Sequence, residues 1–68
     1  MKLRFQAPKE GNHGWYVCTL GAPTQYLHTD GTLHDSTYND YDKTKSSGYF
    51  DNEQHGMDTL VEFIANHL

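Results

Sequence analysis

Only one stretch of this chain has the spacing of a long helix, and it lies at the C-terminal end. Met57, Leu60, Val61, Ile64 and Leu68 follow the helical period and make one apolar stripe, with Phe63 beside it in position to join the same flank and Asp58, Glu62 and Asn66 opposite. Everything before it is cut into short pieces by glycine and proline, and those pieces are rich in aromatic and β-branched residues, which suit strands. A chain punctuated in this way folds as α+β: a three- to four-stranded, mostly antiparallel sheet packed against one C-terminal helix. A single helix shields one side of such a sheet. The other side meets water or a partner.

The pattern places strands at about 2–6, 15–20, 24–28, 32–34 and 48–50, a loop at 35–47 and the helix at about 52–67. Leu3 and Phe5 alternate with polar neighbours, as in a half-buried strand. Pro8 and Gly11 make the stretch from Ala7 to Gly14 read as a loop. Trp15 to Leu20 is apolar on both faces and reads as the central strand. Tyr26 and Leu27 point to opposite faces of the third strand. Asp30-Gly31 is a hairpin turn signal, because glycine tolerates the positive φ that the turn requires. Asp51 is the expected N-cap, with Gln54 at capping-box spacing. Gly56 costs the helix about 1 kcal/mol relative to alanine, unless it allows close contact with the sheet.

Sixty-eight residues make one domain, 1–68, and 35% hydrophobic residues make a lean one. A core of this size supplies only about 3–5 kcal/mol net. Cys18 is the only cysteine, so neither an internal disulfide nor a multi-thiolate zinc site can staple the fold. The formal charge is −4, and the five Lys and Arg form no basic footprint. Direct binding of nucleic acid, which draws on counterion release around phosphates, is therefore not expected. No apolar run approaches the roughly 20 residues needed to span a bilayer, and the N-terminus carries no leader-like apolar segment. A lone thiol fits a reducing compartment, so the cytoplasm is the expected location.

Several constellations come close to a chemical site. His28 and His34 flank the Asp30-Gly31 turn, where pairing would bring their rings together. With Asp30 or Asp35 they form the one candidate metal site, although the chain has no HxxxH, HExxH or cysteine pair. The ordinary reading is solvent-exposed histidine. Asp40, Asp42, Thr44, Ser46 and Asp51 stand at the first, third, fifth, seventh and twelfth positions of a loop that resembles an EF-hand in its oxygen spacing. Lys45 replaces the required glycine and Asp51 the bidentate Glu, so calcium is not expected. Cys18, in mid-strand, reads as a small buried thiol rather than a nucleophile. No GxSxG, P-loop or GxGxxG is present. The chain is expected to be non-enzymatic, with no cofactor and no metal.

The aromatic residues, 13% of the chain, exceed what one side of so small a sheet can hold. Trp and Tyr are enriched at interface hot spots. The expected partner-binding residues are Trp15, Tyr16, Tyr26, Tyr38 and Tyr41, with Asp35, Asp40 and Asp42 facing a basic partner. The ordinary alternative packs Trp15, Phe5 and Phe50 in the core and lays the tyrosines on the surface with wet hydroxyls.

Gly48-Tyr49-Phe50-Asp51 and the helix that follows to Leu68 resemble a strand–turn–helix ending of small phage and mobile-element accessory proteins. The acidic, tyrosine-rich character of the chain is similar as well. The resemblance covers about a third of the chain and carries no functional residue across. It implies a protein-binding module that inhibits a host protein or nucleoprotein complex, such as a polymerase, a nuclease or a CRISPR effector, in the host cytoplasm. Self-association through an uncovered sheet face or edge strand, giving a homodimer, is the second reading. A small His28/His34 metal-binding protein is the third.

Overall fold

The computed structural model describes residues 4–37 and 47–67. It is an α+β fold with the element order β1 (Lys9–Gly11), β2 (Gly14–Tyr16), β3 (Tyr26–Leu27), β4 (Leu33–His34) and α1 (Glu53–His67). β1 and β2 form one antiparallel ladder with Glu10 opposite Trp15. β3 and β4 form another with Leu27 opposite Leu33. The bridge from Cys18 to Tyr26 ties the two together, and single bridges add Phe5 opposite Thr19 and Phe50 opposite Trp15. The stretch from Gly14 to Thr19 thus has partners on both edges, as expected of a central strand. Among the described residues no helix is long and apolar enough to cross a membrane.

The strands are shorter than the sequence suggests. Of the first expected strand, Lys2 and Leu3 lie outside the described residues. Arg4 to Gln6 contact the central segment through Leu20 N–H to Arg4 O at 2.7 Å and Gln6 N–H to Cys18 O at 3.0 Å. Carrying the Phe5–Thr19 register forward would set Pro8 opposite Tyr16, yet Lys9 sits there. The one-residue slip is a bulge at the proline, which has no N–H to give to a ladder. It divides the expected 15–20 strand into β2 and two bridged residues.

The stretch expected as a loop, Ala7 to Gly14, contains β1 instead. Lys9, Glu10 and Gly11 show no apolar alternation, because the pairing rests on backbone groups at an exposed edge. Asn12 and His13 make the reversal, and Gly14 leaves it at φ 132°. A Cβ on Gly14 would stand 2.9 Å from the Phe50 carbonyl oxygen, so glycine is required there for both backbone and space.

The hairpin at Asp30-Gly31 forms as expected, with Gly31 at φ 82°. Asp30 Oδ1 accepts from Thr32 N–H at 3.0 Å and holds the turn. The expected 48–50 strand reduces to Phe50, which exchanges both backbone hydrogen bonds with Trp15, at 2.7 and 3.0 Å.

The helix begins one residue later than expected and is capped by Asn52, not Asp51. Asn52 Oδ1 accepts from His55 N–H at 2.8 Å. Gln54 turns outward to Asp58, at 2.7 Å, instead of closing a capping box. The buried helical positions are Gly56, Leu60 and Phe63. Of the expected stripe, Leu68 lies outside the described residues; among the rest only Leu60 faces the core, while Met57 is 37%, Val61 58% and Ile64 39% exposed. Two contacts fix this rotation. A Cβ on Gly56 would lie 3.4 Å from Pro8 and 3.5 Å from Phe50, so the helix approaches the sheet closely there. One turn or two later, Phe63 meets Phe5 edge to face at 5.6 Å. The core comprises Val17, Leu27, Phe50, Leu60 and Phe63, with Phe5, Trp15 and Leu33 packed against it.

Candidate functional site

Side chains alternate across a strand. Trp15 and Val17 therefore turn toward the helix, as do Leu27, Leu33 and Phe50 from neighbouring segments, and all of them join the core or pack on it. Tyr16 and Tyr26 point the other way. Lys9 stands opposite Tyr16, Cys18 opposite Tyr26, and Tyr26 opposite His34, so these residues form a row across the face that the helix does not cover. The Tyr16 and Tyr26 rings are neighbours, with centroids 6.3 Å apart and planes tilted by 57°. Both rings are half-buried.

The eight expected partner-binding residues are thus placed differently. Tyr16 and Tyr26 come together on the open face. Asp35 is exposed just beyond β4. Trp15 is half-buried against the core on the helix side, and does not share a face with the two tyrosines. Tyr38, Asp40, Tyr41 and Asp42 lie outside the described residues, as do Thr44 and Ser46 of the EF-hand-like loop.

The histidines at the β3–β4 hairpin meet, as the turn implies, but as a stack. Their ring centroids are 3.9 Å apart with planes tilted by 34°. His28 is fully buried, contrary to the expectation of solvent exposure. Its Nε2–H donates to Ser36 O at 2.6 Å. His34 Nε2 lies 2.6 Å from Thr32 Oγ1, and that hydroxyl donates its one hydrogen to Asp30 Oδ1, at 2.6 Å. Thr32 Oγ1 therefore accepts from His34, which fixes the proton on Nε2. The second Asp30 oxygen is 3.9 Å from the same nitrogen. Imidazole lone pairs lie in the ring plane, so two stacked rings aim theirs side by side rather than at one ion. Among the described residues no group of three or more His, Cys, Asp or Glu converges to hold a metal. Every buried side-chain nitrogen and oxygen among them has a hydrogen-bond partner. The histidine pair thus acts as packing for the hairpin.

Cys18 is a free thiol, 8% exposed. Burial pushes it above its ordinary value, and the charge of Lys9 opposes that only in part. A nucleophilic cysteine needs the reverse shift. A cleft of about 200 Å³ lies between the Thr29–Gly31 turn and Thr59, Glu62, Phe63 and Asn66 of α1. It is smaller than the roughly 300 Å³ at which small-molecule pockets begin.

Sequence reasoning did not anticipate the Tyr16–Tyr26 contact or the burial of His28. The turn at Asp30-Gly31 sets Tyr26 opposite His34, but the Tyr16–Tyr26 contact comes from the separate bridge between Cys18 and Tyr26. Tyr49 was not singled out either. It lies 5.5 Å from His13, ring to ring, and its hydroxyl accepts from Thr37 Oγ1 at 3.3 Å. Comparison with protein-family models, with curated proteins and with solved structures finds no match to this chain.

Proposed function

We propose that this chain is a non-enzymatic protein-binding module that docks a protein partner through the sheet face turned away from α1, in the manner of a small phage-type inhibitor of a host protein or nucleoprotein complex. The observation that supports it is the Tyr16–Tyr26 pair, two adjacent half-buried rings on a face without the helix. Tyrosine offers large apolar area with a polar tip and few rotamers to freeze, which suits a contact surface. The net charge of −4 and the exposed Asp35 favour a partner with a basic surface, whose approach would slow as salt rises. Lys9 on the same face gives that surface one charge of the opposite sign, for an acid on the partner.

The test is affinity capture from the native host with mass-spectrometric identification, followed by titration of the captured protein. Tyr16→Ala with Tyr26→Ala is expected to weaken binding by about a hundredfold, the range of interface hot spots, at unchanged circular dichroism. Tyr38→Ala with Tyr41→Ala tests the other two tyrosines expected from the sequence in the same way. Binding that survives both pairs of substitutions overturns the reading.

A further inference from the structure

The helix has two apolar stripes and the sheet uses one. Gly56, Leu60 and Phe63 face inward. Met57, Val61 and Ile64 each follow one of these by one residue and so lie roughly 100° around the axis, and they are 37%, 58% and 39% exposed. Single exposed apolar residues are ordinary on any surface. Here three of the four large exposed hydrophobics among the described residues stand on one helical stripe, and only Leu20 lies elsewhere. At 100° per residue the apolar arc from Phe63 to Val61 is about 160° wide, broader than the roughly 100° stripe that one packed face requires.

Charge indicates which neighbour suits the rest of the arc. Glu53, Asp58 and Glu62 are exposed on α1, which contains no Lys or Arg. A second copy would bring the same acids against them and another net charge of −4. A cationic partner meets no such repulsion. We infer that the Met57–Val61–Ile64 stripe is a docking surface for an amphipathic helix of a protein partner, apolar on one face and rich in Lys and Arg around it. This surface is separate from the tyrosine face and does not rest on the reading given for it.

The probe is a fluorescent synthetic peptide of about 14 residues, nearly four helical turns, with Leu at helical spacing and Lys elsewhere. A peptide of the same composition in scrambled order is the control. The patterned peptide is expected to bind the intact protein about tenfold more tightly than the scrambled one, about 1.4 kcal/mol, with amide shift changes centred on Met57, Val61 and Ile64. Val61→Ser with Ile64→Ser is expected to remove that advantage while the melting curve holds. Glu53→Gln with Asp58→Asn is expected to weaken binding and flatten its salt dependence. Tyr16→Ala with Tyr26→Ala is expected to bind the peptide as the unaltered protein does, so a failure of the tyrosine face leaves this result standing. Equal binding of the scrambled peptide overturns the inference, as do shift changes on the sheet face in place of α1. Sedimentation that finds the protein dimeric and the Val61→Ser, Ile64→Ser variant monomeric assigns the stripe to a second copy and overturns it too.

Discussion

Cys18 lies between Val17 and Thr19, bridged to Tyr26, and its thiol is sealed off more by packing than by chemistry. Burial disfavours the thiolate, so the folded chain holds the proton to higher pH than the unfolded chain does. Below the ordinary thiol value of 9.0 both states keep the proton and nothing is lost. As pH rises through that value the unfolded state releases its proton first, and stability falls. Urea midpoints are therefore expected to decline above about pH 9 and to decline less in Cys18→Ala, which lacks the titrating group. Alkylation by iodoacetamide at pH 8 is expected to be slow in buffer and fast in urea; equal rates would show that the thiol is accessible in the folded protein. The sequence foretold this residue, because a small thiol in mid-strand between the β-branched Val17 and Thr19 is ordinarily buried or half-buried. It did not foretell His28. The side chain is polar, and the hydrogen bond to Ser36 O, eight residues on, and the stack on His34 help to make its burial tolerable. Tyr16 and Tyr26 fall between these cases: alternation gives their faces, but their adjacency depends on a bridge between Cys18 and Tyr26.

At the scale of elements, the helix start offers the sharpest contrast between pattern and geometry. Asp51 and Asn52 are both good capping residues, and their spacing to Gln54 favoured the first. The hydrogen bond to His55 N–H goes to Asn52. Asn52→Ala is expected to cost about 1 kcal/mol. Asp51→Ala removes only a charge near the helix dipole and is expected to cost under about 0.5 kcal/mol. Urea denaturation of the two variants side by side checks this, and a reversed order would move the cap to Asp51. The helix, the central segment and the β3–β4 hairpin were legible; β1 was not, because its polar residues pair through backbone alone, and the expected strands at 2–6 and 48–50 shrink to single bridges among the described residues. What the pattern could not supply was the rotation of α1. Met57, Leu60, Val61 and Ile64 satisfy helical spacing as well as Gly56, Leu60 and Phe63 do. The choice between the stripes was made by Pro8, Phe50 and Phe5, residues distant in sequence.

For the molecule as a whole, that rotation means one aromatic side chain largely decides whether the helix stays docked. The helix buries Gly56, Leu60 and Phe63, and of these the glycine contributes closeness but almost no side-chain area. Phe63 meets Phe5 edge to face at 5.6 Å and is capped from outside by the His67 ring, stacked at 4.0 Å, whose Nδ1–H donates to Phe63 O at 2.9 Å. Removing a buried phenylalanine costs about 3–5 kcal/mol. A chain of this size has about 3–5 kcal/mol in all. Phe63→Ala is therefore expected to leave little folded protein at 25 °C, with loss of both helical circular dichroism and the cooperative urea transition. Val61→Ala and Ile64→Ala delete smaller apolar groups one residue or two along the chain, and from the exposed stripe, and are expected to shift stability by no more than about 0.5 kcal/mol. Were the helix seated on the stripe that its periodicity suggests, the order would invert: Val61→Ala and Ile64→Ala would be the damaging changes and Phe63→Ala the mild one. Urea unfolding of the three variants thus reads the orientation of α1 directly, and with it whether the Met57–Val61–Ile64 surface is free to receive a partner.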